Sequence, residues 1–181
     1  MSVLVRGRQR GNAIVGPYGD ATVLAEYVLR GETFFVDGTS GGSSNSGKSW
    51  DSALNTIQAA VNMTVASRGD VIYVRRGTYV ENVVITGKHN LSLVAAGPVT
   101  ANSKRASIAP ASGIALDLAQ NDRLYIYGMR TVGVSAVGTR SDSESVLFDN
   151  CDFTSDTSHG FEFKAATSTD YTGSGSVFDG C

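Results

Sequence analysis

Proline, cysteine and net charge are all scarce in this sequence. Among 181 residues there are 3 prolines and 2 cysteines, and 15 Lys and Arg nearly balance 17 Asp and Glu, leaving a formal net charge of -2. So little proline excludes a proline-rich linker protein. The cysteines, Cys151 and Cys181, are too few for a disulfide framework. With only His89 and His159 to join them, they show no metal-ligand spacing, so no metal and no cofactor is expected. The near-neutral charge excludes a general nucleic-acid binder, whose footprint would be strongly basic. No apolar run approaches the ~18 residues that span a bilayer, so no membrane partner is expected. A Sec signal is not visible either: the apolar residues 3–5 precede Arg6, Arg8 and Arg10, the reverse of the order such a signal needs. Two thiols in a protein made in a cytoplasm are expected to be reduced.

Glycine is abundant, 21 of 181 residues. It follows no Gly-X-Y period, which excludes collagen. It is spread among short apolar runs, the texture of tight turns between short strands. Residues 33–36 read as the first strand, followed by a Gly/Ser/Asn loop. Ala53, Leu54, Ile57, Ala60 and Val61 recur at helical spacing, and Asp51 suits an N-cap, which predicts a helix over 52–61. Beyond it the sequence predicts strands at 71–74, 83–85, 91–94, 107–109, 115–118, 124–127, 132–137, 146–148, 161–163 and 177–178. No helix-length periodic segment separates them, so βαβ units are excluded and an all-β fold remains. Residues 1–31 differ in texture: a basic cluster among apolar residues, with a weak helix signal over 21–30.

One internal match favours a solenoid among the all-β choices. Val146-Leu-Phe-Asp-Asn-Cys151 recurs as Ser176-Val-Phe-Asp-Gly-Cys181, about 30 residues on. The alignment sets Phe148 on Phe178, Asp149 on Asp179 and Cys151 on Cys181. Leu124-Tyr-Ile-Tyr-Gly128 lies about 22 residues upstream of the first copy. Strand-bearing repeats of that length would stack equivalent residues into inward ladders.

Phe35-Val-Asp-Gly, the Gly/Ser/Asn loop, Gly47-Lys-Ser-Trp-Asp, Thr56-Ile-Gln-Ala-Ala-Val61, Gly69-Asp-Val-Ile-Tyr-Val74 and Gly77-Thr-Tyr-Val-Glu-Asn-Val83 follow one another over about 50 residues. Together they resemble the opening of the right-handed parallel β-helix proteins, the pectin-lyase-like superfamily. The resemblance implies an all-β, right-handed parallel β-helix with an N-terminal capping α-helix. It also implies two regions: a short N-terminal anchor over 1–31, then capping helix and first coils over 32–181. Trp50 is expected to anchor beside that cap.

Three motifs carry other chemistry and are set aside. Gly42-Ser-Ser-Asn-Ser-Gly47-Lys48-Ser49 fits the phosphate-loop pattern, but the loop does not leave the strand directly and the predicted helix starts too late. Gly77-Thr-Tyr-Val-Glu81 matches the first signature of pectin methylesterases, but the later motifs that carry their catalytic groups are absent; Glu81 is expected to end a turn or pair with Arg75 or Arg76. Asp149, Asp152, Asp156, Glu162 and Asp179 lie in the later repeats, where stacked acids at turns are commonly structural; a glycosidase needs a carboxylate pair at defined separation. His159 reads as a loop histidine.

No catalytic residue is therefore expected. A basic arm, a β-helix, no export signal and a repeat that breaks off at Cys181 resemble the N-terminal part of bacteriophage tailspikes and tail fibres. That resemblance implies a structural virion protein, made in the host cytoplasm and carried on the virion. Its first residues, with Arg6, Arg8 and Arg10, would dock other virion proteins. It would be a homotrimer that meets host surface polysaccharide, and the chain would continue past Cys181. The alternatives are a polysaccharide lyase, hydrolase or esterase of the same fold, and a non-viral carbohydrate-binding β-helix protein.

Overall fold

A computed structural model of the chain describes residues 31–97, 106–163, 177–179 and 181. Arg6, Arg8 and Arg10, the arm up to residue 30 and the helix expected over 21–30 lie outside the described residues. In chain order, β1 (Thr33–Val36) is followed by a 3-10 turn at Trp50–Ser52 and by helix α1 (Ile57–Met63). Then come β2 (Val71–Val74), β3 (Gly77–Tyr79), β4 (Val83–Thr86), β5 (Ser92–Ala95), β6 (Ala106–Ile108), β7 (Leu116–Ala119) and β8 (Asp122–Tyr127). The last described strands are β9 (Met129–Gly133), β10 (Thr139–Ser141), β11 (Glu144–Asp149), β12 (Asp152–Ser155), β13 (Phe161–Phe163) and β14 (Val177–Asp179).

The strands form three sheets, ordered β1-β2-β5-β8-β11-β14, β4-β7-β10-β13 and β3-β6-β9-β12. Every pairing between these strands is parallel. From β2 onward each strand pairs with the strand three places later, so successive strands pass from sheet to sheet. The all-β expectation holds, with parallel sheets. The sequence match at the end of the chain is a true register: Phe148 pairs with Phe178 and Asp149 with Asp179, while Ile126 pairs with Phe148 on the other side.

Parallel sheets usually have both faces covered and read as continuous apolar runs. Here burial alternates along the strands, iBiB in β1 and BiBi in β7, with one face inward and one outward. A single core draws on all three sheets and α1. Its longest column is Phe34, Ile72, Leu93, Ile126 and Phe148, each buried. Each such side chain contributes about 1.5–3 kcal/mol by leaving water.

The helix differs from its expected position. Ser49 caps the 3-10 turn and Thr56 caps α1, which ends at Met63. Asp51 caps neither. Ala53 and Leu54 are buried, as their spacing suggests, but as extended chain: Leu54 forms a parallel bridge with Val36 and exchanges backbone hydrogen bonds with Phe35 and Asp37. Leu54 thus covers the free edge of β1, a template for unwanted pairing if left open. The backbone there is committed to β1 and cannot also turn as helix. Ile57, Ala60 and Val61 remain as the buried stripe of α1, which packs on β1, β2 and β4. The apolar pattern also misses β3, β10 and β12 and merges β9 with the bends that follow Gly133.

Candidate functional site

The motif residues of the opening are structural. Lys48 ion-pairs with Glu32 and lies 3.9 Å from the centre of the Phe34 ring. The Ser49 hydroxyl accepts the Ser52 N–H. Gly47 donates its N–H to Ser52 and accepts from Phe35. Its φ is +68°, and a Cβ there would lie 2.9 Å from Leu54, so only glycine fits. These groups stitch the loop to β1, and α1 begins well beyond Ser49. No phosphate cradle is formed.

Among the described residues Glu81 pairs with no arginine. Its two carboxylate oxygens accept the Ile57 and Gln58 N–H groups at 2.8 and 2.9 Å. It therefore satisfies the open amides at the start of α1, where the helix also favours negative charge. Arg75 instead reaches Asp37 at 2.7 Å and lies 4.7 Å from the Trp50 ring centre. Tyr79, of the same signature, donates its hydroxyl to the Arg75 carbonyl and accepts from Gly38 N–H. Burial pushes its phenol up to about 12. The esterase-like signature is thus a clamp between α1, β1 and β3.

Asp149, Asp152 and Asp156 have partners of their own. Asp149 accepts from the Tyr125 hydroxyl at 3.0 Å and from the Asn150 amide at 2.9 Å. Asp152 pairs with Arg130 at 3.4 Å, and Asp156 accepts the Ser135 N–H at 2.7 Å. Glu162 stands in register beside Arg140, and Asp179 beside Asp149. His159 is exposed and accepts the Gly138 N–H through its carbonyl. Among the described residues no cluster of three or more His, Cys, Asp or Glu is placed to hold a metal ion.

The outward faces of the sheets differ in kind. On the sheet of β4, β7, β10 and β13, charges alternate over the last three strands. Val84, Asp117, Arg140 and Glu162 are register neighbours, and the Arg140 guanidinium grips both oxygens of Asp117. That hydrogen bond, together with the Asp117 charge, raises the Arg140 pKa. On the third sheet Arg130 stands beside Asp152.

The six-stranded sheet carries rings instead. Phe35, Tyr73, Val94, Tyr127, Asp149 and Asp179 form one outward row. Thr33, Val71, Ser92, Tyr125, Leu147 and Val177 form the other. Trp50 packs edge-on against Phe35 at 4.8 Å, and Phe35 stacks on Tyr73 at 5.9 Å. Tyr125 and Tyr127 stack at 6.3 Å. Tyr73 is 37% exposed and the other rings are half-buried. Burial first, then the hydrogen bond to Asp149, pushes the Tyr125 phenol up to about 12, so it stays protonated at neutral pH and donates that hydrogen bond. Chemically this is a strip of rings and hydroxyls, interrupted at Val94 and ending in carboxylates. The sequence signal for it is the residue next to each inward column member: Phe34-Phe35, Ile72-Tyr73, Ile126-Tyr127.

No family model and no curated protein matches the chain. Among solved structures it is similar to a rhamnogalacturonan lyase, at 18% identity and a TM-score of 0.39 over 83% of this chain and 51% of that one. The chain therefore spans about half the length of that structure.

Proposed function

We propose that the chain is part of a right-handed parallel β-helix, capped at its first end by α1, and that it acts as the rigid, non-catalytic stem of an attachment protein of the tailspike or tail-fibre type. In this reading each set of three successive strands is one coil. The pairing of each strand with the third strand onward supports it, and the strong right-handed preference of parallel crossovers sets the hand. The reading of function is carried by one observation: rings stand on the outward face of β1, β2 and β8 in the six-stranded sheet, while each of the other outward faces bears an Arg–Asp pair. Ring faces bind apolar C–H surfaces, and tyrosine adds a polar tip, a combination suited to sugar rings of an uncharged polysaccharide. The occupied acids favour binding over cleavage, because Asp149 and Asp152 are already committed to neighbours.

The rest of the proposal follows the same protein type. Arg6, Arg8 and Arg10 dock other virion proteins, three copies assemble, and the protein travels on the virion after synthesis in the host cytoplasm. Binding of intact protein to purified host surface polysaccharide tests the stem reading, with reducing ends measured alongside. Binding without new reducing ends is expected. Steady release of new ends would replace the stem with a depolymerase. Loss of copurification with virions on deleting residues 1–30 tests the arm.

A further inference from the structure

We propose that Cys151 and Cys181 are a redox-set staple that locks the last described strand onto the stack. This does not depend on the function proposed above. Leu147 pairs with Val177, Phe148 with Phe178 and Asp149 with Asp179, and Cys151 and Cys181 each lie two residues beyond that register. The Cys151 N–H donates to the Cys181 sulfur at 3.3 Å. Adjacent parallel strands lie about 4.8 Å apart, inside the usual 4.4–6.8 Å Cα separation of disulfide-bonded residues. Both carry thiols in the structure. The Cys151 thiol points to the Ile126 carbonyl at 3.3 Å, and the Cys181 thiol to the Phe148 carbonyl at 3.5 Å. Both thus point back along the stack by one strand. Closing the bond requires the Cys151 sulfur to leave the Ile126 carbonyl and turn toward Cys181.

The environments of the two thiols set the order of reaction. Cys181 is exposed and Cys151 is buried. With oxidised glutathione as the oxidant, the Cys181 thiolate attacks first, forming a mixed disulfide and releasing one glutathione thiolate. The Cys151 thiolate then attacks the Cys181 sulfur and releases the second. Two protein thiols become one disulfide, and the two glutathione thiolates take up the two protons lost. The staple has a clear target, because β14 pairs through three residues with β11 and has no partner on its other side among the described residues. Such an edge opens first in local unfolding. A cross-link there closes the chain between the two cysteines, so β14 cannot leave without carrying β11.

The test incubates the whole chain in mixtures of reduced and oxidised glutathione. Thiol titration, intact mass and peptide mapping are the readouts. The proposal expects loss of both thiols, a monomer lighter by two hydrogens, and a Cys151–Cys181 peptide. It also expects slower proteolysis between the two cysteines, reversed by reductant. Cys181→Ser should leave one buried thiol that no longer reacts, whereas Cys151→Ser should stop at the glutathione adduct of Cys181. The staple is refuted if wild-type protein stops at that adduct, if both thiols persist where the unfolded chain oxidises, or if the bond links two copies.

Discussion

The inward column from Phe34 to Phe178 ends in two ways. Phe34 sits on β1, the first strand of its sheet, yet is 1% exposed; Phe178 sits on the last strand and is 42% exposed. Phe163, which ends another inward column, is 48% exposed, although its register partner Ser141 is buried. Strand pairing alone therefore does not bury the end of such a stack. At the first end the Gly/Ser loop, the bridge at Leu54 and α1 cover both the edge and the cross-section. At the last described strands five phenylalanines, Phe148, Phe153, Phe161, Phe163 and Phe178, contact one another ring to ring, and Phe148, Phe153 and Phe161 also join the core. The difference teaches that cover, rather than ring chemistry, decides what each side chain contributes.

The sharpest way to break this comparison is a matched pair of substitutions in one column. Phe34→Ala should destabilise by about 3–5 kcal/mol, the range for a buried ring, read from the urea midpoint. An effect below about 1 kcal/mol would mean that the first end is not closed.

Next in size is Asp70, 1% exposed beneath the loop that follows α1. It accepts from Glu32 N–H and Val65 N–H, each at 2.8 Å, and from Arg68 at 2.6 and 2.8 Å. Removing it by Asp70→Ala should cost about 3 kcal/mol, because the Arg68 charge and two amides lose their acceptor. Burial alone would raise the Asp70 pKa, but these hydrogen bonds and the Arg68 charge outweigh it and hold it below its ordinary value. Asp37 is lowered in the same way: burial raises it, but the Thr39 and Ser40 amides and Arg75 outweigh that. The folded chain therefore binds these protons less readily than the unfolded chain. Their contribution to stability is present above the ordinary carboxyl value, about 3.9, and is lost as pH falls through the lower folded values. Stability measured from pH 6 downward should fall on that limb, with a shallower slope in Asp70→Asn.

A smaller effect, about 1–2 kcal/mol, is expected for Glu81→Ala, which uncaps α1. Hydrogen exchange should rise at the Ile57 and Gln58 amides while the far strands stay protected. Smallest is Phe178→Ala, at about 1 kcal/mol or less, since much of that ring is already wet. A cost equal to that of Phe34→Ala would show that the far end is covered in solution.

The sequence made much of this visible, and for identifiable reasons. The Phe-Asp-x-Cys match at 148–151 and 178–181 foretold a register, because identical side chains were to be stacked. Most strands stood out as apolar runs bounded by glycine or polar turn residues. The helix start was hidden because Ala53 and Leu54 bury themselves as chain paired to β1, at spacing that also fits a helix. β10 was hidden because its inward residues, Thr139 and Ser141, are polar; Thr139 is satisfied by Thr131 at 2.9 Å and Ser141 accepts the Ser143 N–H at 3.2 Å. The role of Glu81 needed a contact across 24 residues that no local pattern encodes. The ring-lined face was present as alternate positions but spread over four strands and a loop, so it became a surface only once the register was known.

That face carries the central claim. Backbone amide shifts of the intact protein, followed by NMR during titration with an uncharged oligosaccharide, test it most directly. The account predicts perturbations along β1, β2, β5 and β8 at Phe35, Tyr73, Val94 and Tyr127, abolished in Tyr73→Ala combined with Tyr127→Ala while the urea midpoint changes little. Perturbations centred on Arg140 and Asp117, or an unchanged titration in that double variant, would contradict it.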